Sequence, residues 1–139
     1  MSEAKVIETI AADADAVWRQ LSDFAAIKPG PGIDSVAFEG EGVGMVRTIG
    51  LPNGKVIERL QSHDADQRTF SYAIINDDSP LPFTNYSATV CISDAGNGES
   101  TVDWTGTFEP RGVEEAKAIK IATGIYTSAI AGARKALAG

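Results

Sequence analysis

Apolar and polar residues alternate along much of the chain, and where the alternation stops a helical spacing takes over. Residues 4–10, AKVIETI, alternate and predict a strand. In DADAVWRQLSDF the period changes: Val17, Trp18 and Leu21 recur at helical intervals behind Asp13, whose side chain suits a helix cap. A short helix is predicted there, with a second helical turn at AAIK before PGPG breaks the chain. Strands follow over 33–39, across a hairpin spanning 44–60, and over 69–75. After the irregular NDDSPLP come two longer strands, 84–93 and 100–109, joined through DAGNGE. The remainder, 112–139, is one long helix of roughly 25 residues, about 37 Å in length. Ile119, Ala122, Tyr126, Ala129, Ala133 and Leu137 form its apolar stripe. Glu114 and Glu115 at its start, with Arg134 and Lys135 at its end, suit the helix dipole.

The order strand, short helices, six strands, long helix makes an α+β fold. Adjacent strands joined by tight turns give an antiparallel sheet of about seven strands. One face of such a sheet must be covered, and only the C-terminal helix is large enough. No repeat or linker interrupts the 139 residues, so a single domain over 1–139 is expected.

Alternation also sorts side chains between the two faces, and here two charges fall on the apolar side. A two-residue turn at Asn53-Gly54 would pair Leu51 with Val56, Ile49 with Glu58 and Arg47 with Leu60. Met45, Arg47, Ile49, Leu51, Val56, Glu58 and Leu60 then share the inner face, while Val46, Thr48, Arg59 and Gln61 face water. Arg47 and Glu58 become diagonal neighbours, about 7–8 Å apart at the backbone. Later strands turn Phe70, Tyr72, Tyr86, Val90, Trp104 and Phe108 the same way. A buried charge without a partner costs several kcal/mol, so these polar groups must meet each other, water or a ligand. Two readings stand open: an inert ion pair at the sheet rim, or a small-molecule site in an apolar hollow.

Composition narrows the function classes. A net charge of −7 argues against a nucleic-acid partner, since binding phosphates needs a concentrated basic surface. The one cysteine, Cys91, allows neither an internal disulfide nor a thiolate zinc cluster, and is expected as a small core residue. The one histidine, His63, is expected on the surface at a turn, which leaves no His-rich metal site or serine triad. GEGVG at 40–44 lacks the Lys-Ser/Thr of a phosphate loop and enters a strand, so it is expected as a hairpin turn. No apolar run reaches the ~20 residues of a membrane span, and no signal sequence is visible, so a cytoplasmic location is expected.

DADAVWRQLSDF, GMVRTIGLPNG, VIERL, FSYAII, LPFTNYSATVCI, TVDWTGTFEP and the final helix together resemble the polyketide cyclase/dehydrase-like branch of the START/Bet v 1 superfamily. The resemblance covers nearly the whole chain. It implies a helix-grip, a curved antiparallel sheet wrapped around the C-terminal helix, with a cavity between them for a small hydrophobic molecule and no cofactor. In motif the chain is most similar to the plant lachrymatory factor synthases, through Arg47 of MVRTI, Glu58 of VIERL and Tyr86 of NYSATV. That similarity implies a proton-transfer rearrangement of a small, oxidised substrate. Glu58 would move the proton, Arg47 would hold developing negative charge, and Tyr86 would position or assist. Tyr72, Phe24, Phe83, Ile49, Leu60, Trp104 and Tyr126 are the expected ligand-binding residues. AIKPGPGI departs from the branch, which often carries an aromatic residue just after the short helices. The readings carried forward are a cofactor-free cyclase, dehydratase or isomerase, a non-catalytic carrier or sensor, and an interaction module with a vestigial cavity.

Overall fold

In a computed structural model that describes residues 1–138, seven strands and two helices follow the expected order. Gly139, the last residue of the predicted helix and domain, lies outside the described residues. β1 (Ser2–Ile10) leads into α1 (Ala14–Leu21), then come β2 (Ser35–Glu39), β3 (Val46–Leu51) and β4 (Gly54–Asp64). β5 (Thr69–Ile74), β6 (Phe83–Gly96), β7 (Glu99–Pro110) and α2 (Glu115–Ala138) complete the chain. The strands form one curved sheet in the order β1-β7-β6-β5-β4-β3-β2, antiparallel throughout.

The C-terminal helix grips one side of this sheet. Ala118, Ala122, Tyr126, Ile130 and Ala133 are its buried residues, one to each turn or so, and they lie over β1 and β7. Alanine at most of these positions lets the helix lie close to the sheet, and Tyr126 is the one long side chain reaching inward. Both helix ends are tied to β1: Ser2 Oγ donates to Glu115 at 2.7 Å, and Arg134 donates to Glu8 and to the Thr9 carbonyl at 3.0 Å. α1 begins where Asp13 accepts the Ala16 N–H at 2.8 Å, the expected cap. It buries Val17 and Trp18, with the Trp18 ring 6.1 Å from Phe70.

Four details differ from expectation. AAIK does not form a second helix, so one short helix follows β1. Ala26 N–H bonds the Asp23 carbonyl as a lone turn, and the chain then passes Pro29 and turns tightly at Pro31-Gly32, where Gly30 and Ile33 bond each other; the two prolines offer no amide hydrogen to a helix. The β3–β4 corner is Pro52-Asn53, with Leu51 facing Gly54. Pro52 lacks the N–H that would close a two-residue turn at Asn53-Gly54, and suits the second position of a turn that ends in glycine. Gly54 itself has φ +149°, and a β-carbon there would come within 3.2 Å of the Pro80 ring, so a side chain at this position would be strained and crowded. The shift changes the pairing by two residues and therefore preserves the faces.

Cys91 is the third correction: it is half-buried on the outer face of β6, opposite Asp103, because its neighbours Val90 and Ile92 take the inward positions. His63 is the fourth. It is exposed as expected but belongs to β4, where a bulge after Leu60 sets it opposite Phe70 and against the Trp18 ring at 4.9 Å. GEGVG does turn the chain between β2 and β3, with Met45 N–H bonded to the Gly42 carbonyl.

Candidate functional site

Because the corner sits at Pro52-Asn53, Arg47 and Glu58 are directly opposed and not diagonal. Their side chains meet on the inner face, Arg47 Nε donating to Glu58 Oε1 at 2.7 Å, with side-chain exposures of 16% and 10%. Arg47 Nη1 donates to the Phe24 carbonyl at 3.1 Å, and the guanidinium carbon lies 3.8 Å from the Phe24 ring centre. A cation over an aromatic face in a partly dry place is held by the ring quadrupole as well. Three contacts thus fix the guanidinium. Among the described residues, neither Arg47 Nη2 nor Glu58 Oε2 has a hydrogen-bond partner.

Two hollows share Asp23 in their walls. One is a groove of about 480 Å³ bounded by Phe24, Met45, Leu60 and His63. The other, of about 340 Å³, lies between the end of α1, the sheet and the C-terminal half of α2. Arg47, Phe70, Tyr72 and Trp104 form its sheet side, and Ala129, Gly132 and Ala133 its helix side. Those small helix residues leave the space open. Gln20 and Asp23 also border it.

Behind Tyr72 and Trp104 the interior is filled. A bulge between Thr84 and Ser87, with Asn85 at φ 54°, turns both Phe83 and Tyr86 inward although they are three residues apart. Phe83 packs at 4.6 Å on Phe108 and at 5.2 Å on Tyr86, and Trp104 stacks on Tyr126 at 5.2 Å between ring centres. Three hydroxyls line up inside this cluster. Tyr72 and Tyr86 oxygens are 3.1 Å apart, Tyr86 and Tyr126 oxygens 2.6 Å, and Trp104 Nε1 donates to Tyr72 at 3.3 Å. Burial pushes the Tyr72 phenol far above its ordinary value, with the negative Glu58 adding to the rise. Burial likewise raises Tyr86, helped by its two tyrosine neighbours. Tyr126 is pushed up to about 12, by burial first, with the negative Glu58 adding to the rise. All three phenols stay protonated near neutrality.

The expected site residues therefore fall into groups. Arg47, Tyr72 and Trp104 border the smaller hollow, while Glu58 stands behind Arg47 as its counter-charge. Phe24 and Leu60 border the groove. Tyr86 and Phe83 face a small niche of about 80 Å³ near Arg111, and Tyr126 and Ile49 are buried and border none of these spaces. Sequence reasoning missed the contribution of Ala129, Gly132 and Ala133; the small-residue run AIAGA was its visible signal. It also missed Gly106, against which the Tyr126 hydroxyl rests: a β-carbon there would overlap that oxygen.

Residues 1–138 match the family model described as polyketide cyclase / dehydrase and lipid transport. The chain belongs to this family. No curated protein matches it. Among solved structures, an uncharacterized protein from Bacillus thuringiensis is similar at 28% identity and TM-score 0.84, covering 99% of this chain and 100% of its own. The protein XoxI from Bacillus cereus is similar at 29% identity and TM-score 0.84, over 98% and 95% of the two chains. Ara h 8.0201 shares the fold at 16% identity and TM-score 0.81, over 99% and 98%. Family and fold agree on a Bet v 1-like helix-grip. Among the described residues no helix is long and apolar enough to cross a membrane.

Proposed function

We propose that this member of the family, acting as a single domain in the cytoplasm, binds a small, mainly apolar molecule in the hollow of about 340 Å³ beside Arg47. The observation that carries the reading is the guanidinium itself. It is locked by Glu58 and the Phe24 carbonyl, yet keeps Nη2 free of protein acceptors among the described residues while bordering an apolar space. The volume lies at the small end of ligand pockets, about 300–1,000 Å³. Membership of a cyclase, dehydrase and lipid-transport family supports the same reading.

A thermal-shift panel of short ketones, fatty acids, polyketide fragments and sterols tests it, since a ligand at about 100 times its Kd adds about 2.7 kcal/mol of apparent stability. Short compounds should stabilise the protein and sterols should not. Gly132→Leu should abolish every shift by filling the hollow, while raising the melting temperature of the free protein, because leucine favours a helix by about 0.8 kcal/mol over glycine. If no compound shifts the wild type, or Gly132→Leu responds like it, the hollow is not the site.

The same geometry favours a proton-transfer enzyme of the cyclase, dehydratase or isomerase kind over a passive carrier through one feature. Glu58 does not itself border the hollow, but it stands against Arg47, which does, and its Oε2 has no partner among the described residues, so it could take a proton while Oε1 is held by Arg47. Arg47 would then hold charge developing on the substrate, as in the lachrymatory factor synthase-like reading, and Tyr86 would act through Tyr72. Deuterium uptake from heavy water into a stabilising compound reports the step directly. Glu58→Gln should stop uptake and leave binding intact; undiminished uptake would remove Glu58 as the base.

A further inference from the structure

All three tyrosines of the chain sit in one line of hydroxyls, and counting its hydrogens gives the line a direction. Three phenol hydrogens and two oxygen–oxygen contacts leave one hydrogen over. It does not belong on Tyr126. That residue is fully enclosed, its hydroxyl rests against Gly106, and among the described residues it bonds only to Tyr86. A donor stranded there would have lost its water and found no acceptor. Tyr126 therefore donates to Tyr86, across the shorter contact of 2.6 Å.

Tyr86 next receives from both neighbours or passes a hydrogen on. One O–H is left without an acceptor among the described residues either way: receiving from both leaves that of Tyr86, beside the small niche, whereas passing it on leaves that of Tyr72, beside the larger hollow, and lets each bond polarise the next. The Tyr72 oxygen then accepts from Tyr86 at 3.1 Å and from the Trp104 indole at 3.3 Å. Both its lone pairs are taken, so its own O–H is free, and Tyr72 borders the hollow. Arg47 borders the same space, its guanidinium carbon 5.8 Å from the Tyr72 ring centre and its Nη2 unused among the described residues. Both donors belong to residues that border one cavity, and an acceptor oxygen is what they can hold.

Charge selects the kind of oxygen. Glu58 already neutralises Arg47 at 2.7 Å, and Asp23 borders the hollow as well. A ligand carboxylate would add a further negative charge with no counter-ion left for it, which burial penalises. A ketone, aldehyde or ester carbonyl adds none.

We propose, resting on the reading of this hollow as a ligand site, that the hydroxyl line runs from Tyr126 through Tyr86 to Tyr72, and that the Tyr72 O–H and Arg47 Nη2 together seat the carbonyl oxygen of a small neutral ligand. Tyr126, Tyr86 and Trp104 are positioning residues that aim and polarise the Tyr72 donor.

The test uses the full chain with two probes of matched length, 2-octanone and octanoate. Calorimetry gives affinity, and infrared spectroscopy gives the carbonyl stretch of the bound ketone. At neutral pH the ketone should bind about tenfold more tightly than the acid, and its stretch should fall below the value in water. Tyr72→Phe should weaken the ketone about tenfold and return the stretch most of the way. Tyr86→Phe touches no ligand and should return it part of the way, because the Tyr72 donor loses its polarising neighbour, and it should lower the melting temperature because the buried Tyr126 O–H loses its acceptor. If 2-octanone binds but Tyr72→Phe alters neither affinity nor stretch, or if octanoate binds as tightly, the carbonyl seat is overturned while the ligand site stands. If neither probe nor any compound of the wider panel binds, site and seat fall together.

Discussion

The inner face of the sheet has two unlike halves. Under α2, the residues of β5, β6 and β7 interlock with Tyr126 into a filled aromatic cluster whose ring centres lie 4.6–6.4 Å apart. Over β3 and β4 the cover is the irregular segment 22–34, and there the face carries an ion pair between two hollows. The same alternation of apolar and polar residues built both. What differs is the cover: Tyr126 in the middle of the helix fills the space beneath it, whereas the small residues Ala129, Gly132 and Ala133 further along and the segment broken by prolines and glycines leave space open. Binding residues gather where a rigid sheet meets such a segment.

Glu58→Ala strikes the charged half hardest. It leaves the Arg47 guanidinium, 16% exposed, without its counter-charge, and should cost about 3 kcal/mol in chemical denaturation. Adding Arg47→Met should restore most of that loss. A double variant no more stable than Glu58→Ala alone would mean that the pair is not what the half depends on.

The filled half should respond to added volume. Gly106→Ala drives a methyl into the Tyr126 hydroxyl, and the ring cannot retreat because Trp104 stacks on it at 5.2 Å. The expected cost is about 2 kcal/mol. In a Tyr126→Phe background the same change should cost clearly less, a coupling that a double-mutant cycle reads. Equal costs in both backgrounds would place the strain elsewhere.

Alkaline titration separates the halves without mutation. No tyrosine lies outside the hydroxyl line, so the phenolate absorbance reports on the filled half alone. Each folded value is raised above the ordinary 10, Tyr126 to about 12. The neutral form is therefore the one the fold prefers. Stability is fully present below about pH 10 and declines above it, as the unfolded chain ionises first. Phenolate should appear only as the protein unfolds; a tyrosine titrating near 10 in the folded protein would show the line to be open to water. The smallest effect belongs to neither half. Lys5 and Asp103, 3.4 Å apart on the outer face, are both exposed, so Lys5→Ala should change stability by less than about 0.5 kcal/mol.

The charged half was largely legible in the sequence; of the filled half, the inward residues were legible but their mutual contacts were not. Arg47 and Glu58 betrayed themselves by falling on apolar positions of two alternating strands, and a period of two survives an error of two in pairing. That is why misplacing the corner at Asn53-Gly54 left both charges inward while hiding that they face each other. The hydroxyl line joins residues from β5, β6 and α2, with an indole from β7, and no local pattern relates positions 72, 86, 104 and 126. Phe83 and Tyr86 face the same way only through a bulge, which alternation cannot foresee.

By itself the sequence determined the order of elements, the face side chains take where a strand runs without a bulge, and the presence of charge inside, because these depend on short-range periodicity and on hydrophobic burial. Only tertiary structure decided which tyrosine oxygens touch, which glycine makes room for them, and at which end of the helix space remains. Those outcomes rest on the packing of side chains distant along the chain, where a displacement of an ångström makes or removes a hydrogen bond.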